Sequence, residues 1–124
     1  MIAADTSALI GLLKGDPDPR VRRLSEAVRA QALWLPPPVV TEMIAGAYNR
    51  PQLSGLLDGA PLLPLIDGFW DRAGETRRML LAKGLKAQTL DTLIAQSCID
   101  NATPLITLDS DFRHFAAHCG LELG

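Results

Sequence analysis

Short apolar runs alternate along this chain with longer segments in which apolar residues recur every three or four positions. The short runs lie at residues 2–4, 33–35 and 105–108, each bounded by polar residues or prolines, and this pattern is typical of buried strands. Residues 62–66 fit a further strand despite prolines at 61 and 64, and residues 121–123 fit a last edge strand.

Helical periodicity fills the intervals between these runs. The predicted helices cover residues 7–13, 19–28, 39–48, 52–57, 67–83, 92–100 and a short segment that starts near 109 and closes at Gly120. Thr6 or Ser7 can cap the first helix, and Pro19 suits the first turn of the second. On the helix at 67–83, the predicted inner stripe consists of Phe69, Trp70, Ala73, Leu80 and Leu81.

Strands that alternate with helices predict an α/β fold, namely a three-layer α/β/α sandwich around a central, mainly parallel sheet. The chain has 124 residues, which fits a single domain over residues 1–124. We find no internal repeat and no low-complexity linker.

Composition predicts a soluble cytoplasmic protein. The N-terminal segment lacks the basic start of a signal peptide, and no apolar run approaches the roughly 18 residues of a membrane span. Cys98 and Cys119 match neither a zinc spacing nor a redox motif, so free thiols are expected.

The net charge of −2 argues weakly against a nucleic-acid ligand, but the placement of the acids changes the picture. If four of the 14 acidic residues gather in one metal site, ten remain against 12 basic residues elsewhere. The rest of the surface is then slightly basic, and a polyanionic substrate is not excluded.

Four acidic residues stand at positions where a parallel sheet binds ligands. Asp5 and Asp109 each follow a predicted strand, and ligands of such sheets bind outside the carboxyl ends of the strands. Glu42 and Asp91 stand near the starts of helices that can reach the same edge. Clustered carboxylates repel one another unless a hard cation such as Mg²⁺ joins them, and that ion can promote phosphodiester hydrolysis.

Each acid also has a purely structural explanation. Asp91 and Glu42 can simply favour a helix dipole, and Asp109 can be an N-cap with Asp111 in the first turn behind it. Asp5 is hardest to explain in this way, because helix capping does not require an ionised residue beside a buried strand.

Taken together, these residues resemble the PIN-domain family and, within it, the VapC-type toxins of bacterial toxin–antitoxin pairs. Four segments in family order carry the likeness: IAADTSAL at 2–9, PVVTEM at 38–43, LDTLIA at 90–95 and LITLDSDF at 105–112. Each segment alone is a weak signal, whereas all four together span nearly the whole chain.

The resemblance implies a Mg²⁺- or Mn²⁺-dependent endoribonuclease that leaves 5′-phosphate ends. It implies an antitoxin partner that blocks the site, a homodimer and higher toxin–antitoxin assemblies. The family's acidic positions fall on Asp5, Glu42, Asp91 and Asp109, and its supporting hydroxyls fall on Ser7 and Thr107.

One departure from the family pattern concerns the last acid. Such toxins often carry asparagine at the acid before the final Asp-Phe pair, and the interval is often one residue longer. Here Asp109 and Asp111 are both acidic and two positions apart. We favour Asp109 as the metal ligand because it is nearer the strand, with Asp111 as an outer or alternative ligand.

Other residues have weaker claims to function. His114 and His118 have a metal-compatible spacing, but the glutamate of an HExxH site is missing, so a helix face is favoured. Trp34 and Trp70 lie in apolar patterns and are expected in a core or an interface. The following basic residues can hold an RNA backbone or simply form a solvated face: Arg72, Arg77, Arg78, Lys83 and Lys86.

Two alternative functions remain at this stage. One is a catalytically silent binding module of the same fold, although all four acids are present. The other is a phosphoaspartyl-type phosphoryl-transfer or receiver domain that uses Asp5. A haloacid-type phosphatase needs a second aspartate at the position of Ser7, and a receiver needs a lysine after a late strand, which 107–109 lacks.

Overall fold

The computed structural model of the chain describes residues 1–46 and 50–124. Within these ranges the elements, in chain order, are β1 (Ile2–Ala4), α1 (Thr6–Lys14), α2 (Pro19–Arg29), β2 (Leu33–Trp34), α3 (Pro37–Ala45), α4 (Arg50–Asp58), α5 (Phe69–Ala82), α6 (Thr89–Asp100), β3 (Leu105–Ile106), a 3-10 turn (Ser110–Phe112) and α7 (Arg113–His118).

The sheet in the described residues is parallel and has the order β2-β1-β3. Ile2 pairs with Leu33 on one side of β1, and Ala3 pairs with Leu105 on the other. Ala3 and Ala4 are completely buried at the centre of the sheet, where their small side chains leave room for the flanking helices. The predicted α/β/α fold with a parallel sheet is confirmed.

The predicted strand at 62–66 is wrong. Leu62 forms only an isolated parallel bridge with Leu35. The Leu35 N–H donates to Pro61 O at 2.8 Å, and the Leu63 N–H donates to Leu35 O at 2.9 Å. Pro64 has no N–H with which to continue the ladder.

The last two strands are shorter than predicted. β3 ends at Ile106 rather than at 108, because the chain then turns to place Thr107 and Asp109 at the end of the sheet. The predicted edge strand at 121–123 is reduced to one bridge between Leu105 and Leu123.

Helix boundaries differ from the predictions mainly at proline-rich starts. α3 begins at Pro37 rather than Val39, because proline fits the first turn, where its missing N–H is not needed. It ends at Ala45, and the predicted end at Tyr48 lies outside the described residues. α4, α5 and α6 differ from prediction by one to three residues at one or both ends.

The inner stripe predicted for α5 is wrong at two positions. Phe69, Ala73 and Leu80 are buried, but Trp70 is 65% exposed and Leu81 is 47% exposed. Neighbouring helix positions point about 100° apart, so a stripe that includes adjacent residues extends beyond the buried face.

The core contains both phenylalanines of the C-terminal region and Cys98, which is buried as a free thiol, while Cys119 is free and half-buried. Gly11 lies where α1 and α2 meet, and a Cβ there would come within 3.0 Å of Val21 Cγ2. Across the described residues, no helix has the length and apolar character that crossing a membrane requires.

Candidate metal centre

Asp5 lies where β1 ends and α1 begins, and it is the N-cap of α1. Its backbone is extended, with φ −88° and ψ 178°, and its Oδ1 accepts the Ala8 N–H at 3.0 Å. Helix capping therefore does explain an acid at this position, which corrects the sequence-based expectation and the proposed caps Thr6 and Ser7. The capping contact uses only part of the carboxylate.

Two hydroxyl groups hold the rest of the Asp5 carboxylate. Ser7 Oγ lies 2.8 and 2.9 Å from its two oxygens, and Thr107 Oγ1 donates to Oδ2 at 2.7 Å. Asp5 is only 3% exposed. Its orientation is thus fixed by α1 on one side and by the end of β3 on the other, with Ser7 and Thr107 in the supporting positions that the family resemblance implied.

Burial is the largest influence on the Asp5 carboxyl and raises its pKa above the usual value. Hydrogen bonds from Thr107, Ala8 and Ser7 act in the opposite direction, because they favour the ionised form, while the nearby charge of Asp109 raises the pKa again. Burial therefore outweighs the hydrogen bonds in its effect on the pKa of this carboxyl.

The same two hydroxyls fix the start of the loop after β3. Leu108 N–H donates to Ser7 Oγ at 2.9 Å, and Asp109 N–H donates to Thr107 Oγ1 at 3.0 Å. The Asp109 carboxylate in turn accepts the Asp111 N–H at 2.9 Å and caps the 3-10 turn. Asp109 therefore has both the capping role that its sequence position allowed and a place beside Asp5.

Three half-buried carboxylates converge at this end of the sheet. Asp91 lies in the first turn of α6. One carboxylate oxygen from each of Asp91, Asp109 and Asp111 lies within 4.8 Å of the other two. We call this group the carboxylate cluster. It includes both of the competing residues at the last acidic position, so which of the two binds a metal ion stays open.

The charges of four other acids act on Asp91. Burial raises the pKa of Asp91 to about 6, and the further causes, in decreasing order, are the nearby charges of Asp109, Glu42, Asp111 and Asp5. These four carboxylates come from three other parts of the chain. Their common influence on Asp91 places Glu42 and Asp5 in the neighbourhood of the carboxylate cluster.

Glu42 lies on the second turn of α3, which packs against α1 and α6. Its Oε1 accepts a hydrogen bond from Thr6 Oγ1 at 2.6 Å. Thr6 is thus a further hydroxyl at the site, and sequence reasoning had considered it only as a helix cap. Its partner is 36 positions away, and no local pattern shows that contact.

A cation also reaches the carboxylate cluster. Lys86 Nζ lies 2.8 Å from Asp111 Oδ2. The sequence placed Lys86 among five basic residues that could hold RNA, but did not distinguish it from the others. Arg72, in contrast, pairs with Asp100 on α6, and Arg77 Nε donates to Ala87 O at 2.7 Å, so both contribute to internal packing.

The chemistry of these donors fits a hard divalent cation. Mg²⁺ and Mn²⁺ take oxygen ligands, and Asp91, Asp109 and Asp111 offer oxygens close enough to share one ion. Burial and the neighbouring acids raise the pKa of Asp91, and a bound cation would act against both influences. Asp5 and Glu42 do not belong to this group of oxygens, although the charges of both act on Asp91. His114 and His118 belong to no group of metal donors within the described residues.

Comparison with known proteins gives the family. A family model for the PIN domain matches residues 2–118. The chain belongs to the PIN domain family. Its PIN domain fold is similar to a crystal structure described as VapBC2 from Rickettsia felis bound to a DNA fragment from their promoter, with a TM-score of 0.74 and 21% sequence identity over 100% of this chain and 98% of that chain. A search among curated proteins finds no match.

Membership of the PIN domain family confirms the family resemblance seen in the sequence. At 21% identity the solved structure shows a shared fold and no more. A divalent metal is typical of PIN domains, and this chain provides the acidic cluster for one.

Proposed function

We propose that this PIN domain is a Mg²⁺-dependent endoribonuclease, with Mn²⁺ as an alternative metal, and that it is the toxin of a toxin–antitoxin pair. The observation that carries the proposal is the convergence of Asp91, Asp109 and Asp111 beside the buried Asp5 at the carboxyl end of a parallel sheet. Nuclease function fits the family to which the chain belongs.

Each acidic residue has a distinct part in the proposed site. Asp91 and Asp109 hold the ion together with Asp5 and Glu42, directly or through waters, and Asp111 is an outer or alternative ligand. Ser7 and Thr107 fix the direction of the Asp5 carboxylate. When bound, a divalent ion supplies positive charge against the phosphodiester oxygens and makes a nearby water more acidic.

A small cavity lies beside Asp109. It has a volume of about 180 Å³ and is lined in part by Arg20, Thr107, Ser110 and Arg113. Arg20 is largely engaged, because it binds Asp18 and donates to Thr107 O at 3.2 Å. Arg113 donates through Nε to Ser110 O, which leaves its terminal nitrogens for a phosphate group.

The direct test is cleavage of a structured RNA by the purified protein in Mg²⁺, with mapping of 5′-phosphate ends. Asp5→Asn is expected to reduce cleavage by at least about 100-fold, since the ionised acid is lost while asparagine still caps the helix. Asp71→Asn is the matched control, because Asp71 is an exposed acid on α5. Equal cleavage by the wild type and Asp5→Asn would contradict the proposal and indicate a contaminating nuclease.

A second variant separates loss of function from loss of folding. Asp91→Asn is expected to abolish cleavage although it stabilises the metal-free fold, because it relieves repulsion in the carboxylate cluster. Absence of metal binding in a calorimetric titration of the wild type would favour the alternative of a silent binding module.

The proposal extends to the protein's partners. We expect a cytoplasmic protein that binds a cognate antitoxin and forms a homodimer and larger toxin–antitoxin complexes. Support for an antitoxin comes from the solved neighbour, described as VapBC2 bound to promoter DNA. Co-purification with the product of the adjacent open reading frame, and mass determination of the free protein, test these two expectations.

A further inference from the structure

A lysine side chain of the protein contacts the carboxylate cluster. Lys86 Nζ forms an ion pair with Asp111 at 2.8 Å, with its side chain 57% exposed and that of Asp111 29% exposed. Of the ion pairs found in the described part of the chain, this is the one that involves the carboxylate cluster; the others join Arg20, Arg72 and Arg78 to acids elsewhere.

The segment that carries Lys86 is fixed on both sides. Before it, Leu85 N–H donates to Leu80 O at 3.0 Å, after a turn at Gly84, whose φ of 74° suits glycine. After it, Ala87 is buried, and its carbonyl accepts Arg77 Nε at 2.7 Å. The lysine is therefore presented to the carboxylate cluster by an anchored loop and not by a freely moving one.

The electrostatic influence of the cluster on Lys86 is broader than this one contact. The hydrogen bond to Asp111 raises the pKa of Lys86 most, and the charges of Asp111, Asp109 and Asp91 raise it further. The ammonium thus interacts with all three members of the carboxylate cluster.

We propose that Lys86 is a built-in counter-cation of the carboxylate cluster, which holds Asp111 in the metal-free protein and weakens the binding of a divalent ion to the cluster. This inference rests on the proposed function only in taking the cluster as the metal site. The Lys86 ammonium engages Asp111 Oδ2, and its positive charge repels a metal cation that binds within a few Å of it. Lys86 therefore competes with metal and protects the empty cluster from self-repulsion.

Calorimetric titration of the metal-free full-length chain with Mn²⁺ tests the competition. Lys86→Met is expected to tighten Mn²⁺ binding by on the order of tenfold, since it removes a positive charge within a few Å of the ion. Lys86→Arg keeps the charge and should stay within about twofold of the wild type. Lys83→Met is the matched control, because Lys83 carries the same charge nearby in the chain and makes no ion pair among the described residues. This substitution should change the affinity for Mn²⁺ by less than about twofold.

The double variant with Asp111→Asn identifies the contact. If Lys86 acts mainly by holding Asp111, the gain from Lys86→Met should fall to about threefold or less once Asp111 is neutral, because only the repulsion between the ammonium and the ion is then left to remove. Equal affinity of Lys86→Met and the wild type, an equal gain with Lys83→Met, or weaker binding by Lys86→Met would each overturn the proposal.

Metal-free melting provides a readout that does not depend on the proposed nuclease function. Without metal, Lys86→Met should melt below the wild type and below Lys83→Met, because the cluster has lost its cation. If neither the wild type nor any variant binds Mn²⁺, the proposed metal dependence fails. The melting temperatures still test Lys86 in that case, and equal values for Lys86→Met and Lys83→Met would overturn its role as counter-cation.

Discussion

Replacing Asp91 by asparagine is expected to stabilise the metal-free protein near neutral pH. Burial, followed by the neighbouring charges with Asp109 first, raises the pKa of Asp91 from 3.8 to about 6. Between these two values the native state holds a proton that the unfolded chain has lost. The free energy of unfolding therefore falls as the pH rises through this window, and above about pH 6 the full penalty is present.

The size of the effect follows from this difference in pKa. At 1.36 kcal/mol per pH unit, the unscreened penalty is about 3 kcal/mol. Asp91 is half-buried, and solvent screening reduces this to about 1.5 kcal/mol. Its place in the first turn of α6 contributes about 0.5 kcal/mol of favourable dipole interaction, which asparagine loses. The net gain at pH 7 is about 1 kcal/mol, or roughly 4 °C in melting temperature.

Thermal unfolding followed by circular dichroism in EDTA measures this gain. Asp91→Asn should melt about 4 °C above the wild type at pH 7, and the difference should shrink at pH 5, where Asp91 is mostly protonated. Adding millimolar Mg²⁺ should raise the wild type and leave the variant almost unchanged, because a ligand stabilises only the state that binds it.

Asp71→Asn is the control for the dipole contribution. Asp71 is also in the first turn of a helix but is exposed, so its replacement should slightly lower the melting temperature at both pH values. The reasoning is refuted if Asp91→Asn melts below the wild type at pH 7 in EDTA, or if its advantage persists unchanged at pH 5.

Three further substitutions or reactions test the packing around the site. Thr107→Val should lower the free energy of unfolding by about 1–2 kcal/mol and reduce RNA cleavage at least about tenfold. Thr103 is also buried, but Thr103→Val should lower stability alone. Melting and cleavage assays of both variants separate the two effects. Arg72→Met should lower the melting temperature more than Arg78→Met. Arg72 donates two side-chain hydrogen bonds to Asp100, whose side chain is 7% exposed, whereas Arg78 lies 3.7 Å from Glu75 at the surface. Burial raises the pKa of Cys98 to about 12, so its thiol should resist iodoacetamide at pH 8 until the protein unfolds, and rapid alkylation of the native protein would contradict the fold.

Much of the fold was predictable because its signals are local. The apolar runs at 2–4 and 33–35 contain the parallel strands β1 and β2, and the periodic segment at 92–100 lies within helix α6. Strand ends were harder to predict. The apolar run continues to Leu108, but β3 ends at Ile106, and the chain then turns and places Asp109 at the end of the sheet.

The candidate site was predictable in its residues but not in its contacts. Strand-end position alone singled out Asp5 and Asp109, since parallel strands end at a common edge. It did not show that Asp5 caps α1 while accepting Thr107 Oγ1 from 102 positions away, or that Trp70, expected in a core or an interface, has an exposed side chain.

The sequence by itself determined the α/β class, the family, and which acids stand at the end of the sheet. The class depends on apolar periodicity, which acts over a few residues, and the family depends on the likeness of four short segments to the family pattern. Only the tertiary structure decided that Asp91 joins Asp109 and Asp111 within 4.8 Å, and that Lys86 is the lysine at that cluster. Such convergence depends on how α5, α6 and the loop after β3 pack against one another, and a linear pattern does not encode distances between side chains that packing brings together.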